Sequence, residues 1–290
     1  MEILLAKDMG FCWGVRRAID MMEKAAQDKG EIVSLGPIVH NPQVVRELEA
    51  KGVRTASEPD DGGPLPVAVT AHGAVPEVLE RAQARGAEVI DTTCPIVTRS
   101  QRWTKKMSEA GFTVIVFGDP NHREVKGVLG WAGPNSLALQ DGDPVPKELP
   151  SRLAVIAQTT QSPARFAAFV STLVQEHVGE IGELRVVNTL CDVTSSQQAA
   201  ATELAQEVDL VLVVGGRNSA NTRHLLDVCR EEGTAAYHVE SPAEVKSEWL
   251  KGCKRVGVTA GASTPDSAVE AVVRHIQRIG AELEGAPSGS

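Results

Sequence analysis

The chain has 290 residues, 42% hydrophobic and 23% charged, with a formal net charge of −9. An acidic balance without a basic stripe argues against nucleic acid as a partner, and 3% aromatic residues are too few for base stacking as a main activity. The longest apolar runs, such as Leu210–Val214, fall far short of a membrane span, so no membrane partner is expected.

The N-terminal stretch MEILLAKDMG has no basic region ahead of a long apolar segment, so no signal peptide is expected. Five cysteines in such a chain point to reduced thiols or metal ligation in a cytoplasmic protein, not to a disulfide framework. From the N-terminus on, β-rich apolar runs are predicted at 3–6, 31–35, 67–70, 87–90, 113–117, 154–157, 184–187, 209–214 and 255–259. Amphipathic helical stretches alternate with them at 44–51, 76–85, 163–176, 221–232 and 266–279. Two of these open on proline, which is favoured at a first helical position. The alternation predicts α/β units with mostly parallel sheets. Residues 60–66 and 141–150 read as Pro/Gly/Asp loops, and 285–290 as a frayed tail.

A pattern recurs three times. Cys12, Cys94 and Cys191 stand in GFCWGVRRAIDMM, DTTCPIVTRSQRWTKK and NTLCDVTSSQQAATEL, each after a strand-like run and before a helix-like one. A second element places Gly36, Gly118 and Gly215 ahead of His40, His122 and Ser219 at matching positions. A third reads TAHGAVPEVL, AQTTQSPARF and TAGASTPDSA. The cysteines lie roughly ninety residues apart, a domain-sized period. The expected units are 1–90, 91–187 and 188–280, with 281–290 as a tail. In parallel α/β sheets ligands bind beyond the carboxyl ends of the strands, so nine such loops facing inward would line one cavity.

Thiolates bind zinc, copper(I) and iron–sulfur clusters. No CxxC pair is present, which argues against a zinc ribbon. Three separated thiolates leave one metal position open, and an open iron can act on a substrate oxygen. The plainer alternative is three buried, inert cysteines, and the repeat weighs against it. Cys229 and Cys253 lack repeat partners and read as packing residues. His40, His72 and His122 precede helix-like stretches, Ser219, Asn221 and Ser263 occupy the third unit's corresponding loops, and together they suit an anion such as a diphosphate. Singly, each could simply cap a helix. Glu124, in NHREV, could relay protons there or merely favour a helix dipole. Thr159 and Thr160 could hold a water or a substrate hydroxyl.

GFCWGV at 10–15, VHN at 39–41, AHG at 71–73, DTTCP at 91–95, NHREVKG at 121–127, QTTQS at 158–162, GGRNSAN at 215–221 and VTAGAST at 258–264 together resemble the 4-hydroxy-3-methylbut-2-enyl diphosphate reductase family. The resemblance implies a trefoil of three pseudo-threefold-related α/β units around a central four-iron, four-sulfur (4Fe-4S) cluster. In it Cys12, Cys94 and Cys191 would ligate three irons, and the fourth iron would take the substrate's hydroxyl oxygen. His40, His72, His122, Ser219, Asn221 and Ser263 would hold the diphosphate. Glu124 would deliver protons, and Thr159 would position the hydroxyl or a water. The implied reaction is a two-electron, two-proton reductive dehydroxylation to isopentenyl and dimethylallyl diphosphate, with ferredoxin or flavodoxin as electron donor. Ala220 stands where many relatives have a second serine, which removes one possible donor, and many relatives carry a longer tail. A zinc hydrolase of phosphate esters and a non-catalytic cluster carrier or redox sensor are the competing readings of the same thiols.

Overall fold

The computed structural model describes residues 1–285. Strand β1 (Glu2–Leu5) leads through the first cysteine loop to helix α1 (Trp13–Lys29), followed by β2 (Ile32–Leu35), α2 (Pro42–Glu49) and β3 (Val53–Ala56). Then come β4 (Val67–Val69), α3 (Pro76–Ala84), β5 (Val89–Asp91), α4 (Pro95–Glu109), β6 (Thr113–Phe117), α5 (Arg123–Leu129) and β7 (Leu137–Leu139). The chain continues through β8 (Arg152–Ala157), α6 (Pro163–His177), β9 (Glu183–Val187), α7 (Asp192–Glu207), β10 (Leu210–Val214) and α8 (Ala220–Glu231). It closes with β11 (Ala235–Val239), α9 (Ser247–Leu250), β12 (Arg255–Ala260) and α10 (Asp266–Gly285). The frayed tail expected at 285–290 lies, but for Gly285, outside the described residues.

Two compact units are formed. One contains residues 1–12, 40–44 and the chain from Asp192 onward; the other contains 13–39 and 45–191. The second unit holds two four-stranded sheets, ordered β3-β2-β4-β5 and β7-β6-β8-β9, and the first unit holds one, ordered β11-β10-β12-β1. Every strand pairing is parallel. The expected fold class, three α/β units with parallel sheets, is therefore present. All three sheets share one order, but the last is completed by the N-terminal strand: β1 pairs with β12 from Glu2 opposite Arg255 to Leu5 opposite Val258.

The central strands are buried on both faces, as crossover helices require. Their side chains alternate between two apolar clusters with the period of a strand. On β6, Ile115 and Phe117 pack with Leu153, Val155 and Leu173, while Val114 and Val116 pack with Met107 and Ile156. On β10, Leu212 and Val214 face Val258 and Ile276, while Val211 and Val213 face Leu204 and Leu225.

Three strands were not expected from the sequence: β3, β7 and β11. Each lies at a sheet edge, where one flank lacks a partner and a continuous apolar run is not needed. Their sequences, VRTA, LAL and AAYHV, each hold at most two residues of high β propensity. The run expected at 87–90 forms its strand at Val89–Asp91. Among the described residues no helix is long and apolar enough to cross a membrane.

Candidate functional site

The three cysteines make one and the same backbone contact. The Cys94 amide donates to the Ala71 carbonyl at 3.0 Å, the Cys191 amide to the Thr159 carbonyl at 2.9 Å, and the Cys12 amide to the Ala262 carbonyl at 3.0 Å. Each acceptor lies in the loop after the third strand of its sheet: β4, β8 and β12. Each cysteine is half-buried, none is in a disulfide, and a helix begins at the next residue. Helix N-termini favour a thiolate. Cys229 differs: it is fully buried, and burial with nearby Glu232 pushes its thiol up to about 12. The Cys253 thiol is also raised, by burial and then by Asp209, and donates to the Trp249 carbonyl. Neither suits ligation.

Side chains that the sequence reading passed over tie down these loops. Arg17 on α1 donates to the Thr93 carbonyl at 3.2 Å, and Arg99 on α4 donates to the Leu190 carbonyl at 3.1 Å. Gln197 on α7 donates to the Gly10 carbonyl at 2.9 Å. The only signal in the sequence was a hydrogen-bond donor five or six residues after each cysteine.

The second unit gathers His72, His122, Glu124 and Thr159. His122 caps α5: its Nδ1 accepts from the Glu124 amide at 3.2 Å. In the neutral ring the proton then sits on Nε2, which is the donor an anion needs. His72 meets His122 edge-on with centroids 5.7 Å apart, and its Nδ1 lies 3.2 Å from Thr70 Oγ1. Glu124 is 3% exposed. The Thr159 amide donates to Glu124 Oε1 at 2.6 Å and the Thr159 hydroxyl to Oε2 at 2.9 Å. Burial raises the Glu124 carboxyl to about 7, against these two hydrogen bonds, which lower it. Near neutral pH such a group can both hold and release a proton. Thr159 thus grips the acid with its amide and hydroxyl, while its carbonyl holds the Cys191 loop.

The first unit gathers Cys12, His40, Ser219, Asn221 and Ser263. Ser219 caps α8 by accepting from the Thr222 amide at 3.2 Å. Capping and an anion site are not exclusive here, because the cap leaves the hydroxyl proton available. The Ser263 hydroxyl lies 3.5 Å from the His40 carbonyl. A Cβ on Gly216 would stand 2.1 Å from that carbonyl, so only glycine admits this approach. Asn221 is buried in the first turn of α8, and its Nδ2 donates to Gln197 Oε1 at 3.0 Å.

Residues 3–277 match a family described as LytB protein. A relative from Dehalococcoides mccartyi, a 4-hydroxy-3-methylbut-2-enyl diphosphate reductase, is 44% identical over 284 residues, covering 97% of this chain and 99% of its own. The enzyme of the same name from an Anaeromyxobacter species is 48% identical over 274 residues, covering 94% of this chain and 95% of its own. Among solved structures, the E-1-hydroxy-2-methyl-but-2-enyl-4-diphosphate reductase from Plasmodium falciparum superposes with a TM-score of 0.85 at 26% identity, over 94% of this chain and 87% of that one. A second, described as (E)-4-hydroxy-3-methyl-but-2-enyl diphosphate reductase, the terminal enzyme of the non-mevalonate pathway, gives 0.67 at 35% identity, over 96% and 100%.

Proposed function

The chain belongs to the LytB family, and from that premise we infer that it is a 4-hydroxy-3-methylbut-2-enyl diphosphate reductase, an oxidoreductase of the non-mevalonate isoprenoid route. The reaction cleaves the allylic C–O bond, releases the oxygen as water, and takes up two electrons and two protons.

Cys12, Cys94 and Cys191 are the proposed ligands of a 4Fe-4S cluster. The donor set fits: three half-buried thiols at equivalent loops, each at the start of a helix whose dipole offsets thiolate charge. Among the described residues no three His, Cys, Asp or Glu side chains close on a single ion. When bound, the cluster supplies the electrons and, with three protein ligands for four irons, an iron open to the substrate oxygen. His40, His72, His122, Ser219, Asn221 and Ser263 are the proposed diphosphate donors. Glu124, protonated near neutral pH, gives its proton to the departing hydroxyl. Thr159 keeps that carboxyl in place. We propose a ferredoxin or flavodoxin as electron donor and the cytoplasm as location.

One observation carries this reading. Thr159 ties a buried acid of near-neutral pKa to the backbone of the Cys191 loop. The test is protein purified without oxygen. Expected are about four irons and four sulfides per chain, and consumption of the hydroxylated allylic diphosphate with a one-electron reductant. One zinc per chain and no iron would favour phosphate-ester hydrolysis. A cluster with no consumption of substrate would favour a carrier.

A further inference from the structure

The helix that follows each cysteine reaches the backbone ahead of another. Arg17 follows Cys12 by five residues and holds the Thr93 carbonyl; Arg99 follows Cys94 by five and holds the Leu190 carbonyl. Gln197 follows Cys191 by six and holds the Gly10 carbonyl, two residues ahead of Cys12. The third latch differs in chemistry. Arginine only donates, whereas glutamine also accepts, and Gln197 uses its Oε1 to accept from Asn221. Gln197 is 1% exposed, so no solvent competes for either bond.

The order of the amides is set from one end. The Gly10 carbonyl can only accept, so Gln197 turns its NH2 group there and its oxygen towards Asn221. Asn221 must answer with its own NH2 group. One Nδ2 hydrogen serves Gln197, and the other remains for a ligand. Nothing else fixes this amide, because Asn221 Oδ1 is buried with no hydrogen-bond partner among the described residues. Without Gln197 the amide could turn over and offer an acceptor where an anion needs a donor.

We propose that Gln197 is a positioning residue for diphosphate binding: it fixes the Asn221 amide as a donor and joins it to the backbone of the Cys12 loop. The proposal rests on the reading of Asn221 as a diphosphate donor. Its test is a double-mutant cycle on cluster-loaded protein, with inorganic diphosphate titrated by calorimetry and KM and kcat measured alongside. Gln197→Met removes both bonds at similar volume, and Asn221→Ala removes the group they position. Each single variant is expected to bind diphosphate about tenfold more weakly, the usual worth of a hydrogen bond to a charged group. The double variant is expected to bind no more weakly than Asn221→Ala, with KM moving more than kcat. Gln197→Asn, too short to reach both partners yet still polar, carries the same comparison if the methionine variant does not fold. If both Gln197 variants bind like the parent while Asn221→Ala is weakened, Gln197 is only a satisfied core amide and the proposal is overturned. Additive losses overturn it too, since Gln197 would then act by another route. If Asn221→Ala binds like the parent, the reading of Asn221 fails and the proposal fails with it.

Discussion

Glu124 is where burial and chemistry meet most directly. Desolvation lifts its carboxyl from an ordinary carboxylate value to about 7, and the Thr159 bonds recover only part of the charged form's stability. A folded pKa above the unfolded one favours the protonated fold. That contribution is complete below about 4.5 and is lost as the pH rises through about 7, a total of roughly 3 kcal/mol. Glu124→Gln cannot ionise. Its thermal midpoint should therefore gain on the parent's from pH 5 to about pH 7 and level off above that; a constant difference across pH 5 to 7 would show that the carboxyl does not titrate there. The same variant should keep its iron and lose roughly 10²- to 10⁴-fold in turnover, the range for a positioned proton donor. Undiminished turnover would remove Glu124 from the mechanism. The cysteines allow a parallel comparison. Cys191→Ser should lower iron per chain, whereas Cys229→Ser, at a thiol raised to about 12, should not. Equal iron contents would contradict the ligand assignment.

At the level of elements, the loop after β10 depends on an approach that only glycine allows. A methyl on Gly216 would collide with the His40 backbone, not with a flexible side chain. Gly216→Ala must therefore push the two segments apart. Overpacking of this kind costs about 1–3 kcal/mol, and it should weaken inorganic diphosphate binding as His40 and Ser219 separate. A variant with the parent's midpoint and diphosphate affinity would mean that the loops yield without loss. The sequence shows the glycine-marked loops at Gly36, Gly118 and Gly215, because a glycine after an apolar run is a local signal. It does not show why Gly216 is needed, since its neighbour His40 is distant in the chain and no local pattern encodes the contact. The same holds for Arg17, Arg99 and Gln197, whose partners are backbone carbonyls of other loops. Glu124 was legible through NHREV, but its grip by Thr159 across two loops was not. The edge strands β3, β7 and β11 were hidden for a different reason: a strand paired on one side can be poor in β-formers and still form.

For the whole molecule, the deciding feature is how the chain closes. In the second unit, β5 and β9 follow β4 and β8 directly in sequence and complete their sheets. The corresponding neighbour of β12 is β1, brought from the other end of the chain. The backbone of the first cysteine loop then continues the pairing, with the Gly10 amide bonded to the Ala260 carbonyl and the Cys12 amide to the Ala262 carbonyl. Periodicity could not reveal this, because a repeat read along the chain assigns β1 to the residues that follow it. The closure is non-local, and non-local pairing forms late and slowly. Removing residues 1–5 tests it. The deletion strips the flank of β12, whose Val256, Val258 and Ala260 are fully buried, and leaves an open apolar edge of the kind that promotes aggregation. The shortened protein should melt at lower temperature, aggregate more readily, and hold less iron, because the Cys12 loop has lost its lead-in strand. If instead it kept the parent's midpoint and iron content, the sheet of β10, β11 and β12 would be complete without β1, and the Cys12 loop would owe its place to Gln197 and the Ala260 and Ala262 carbonyls.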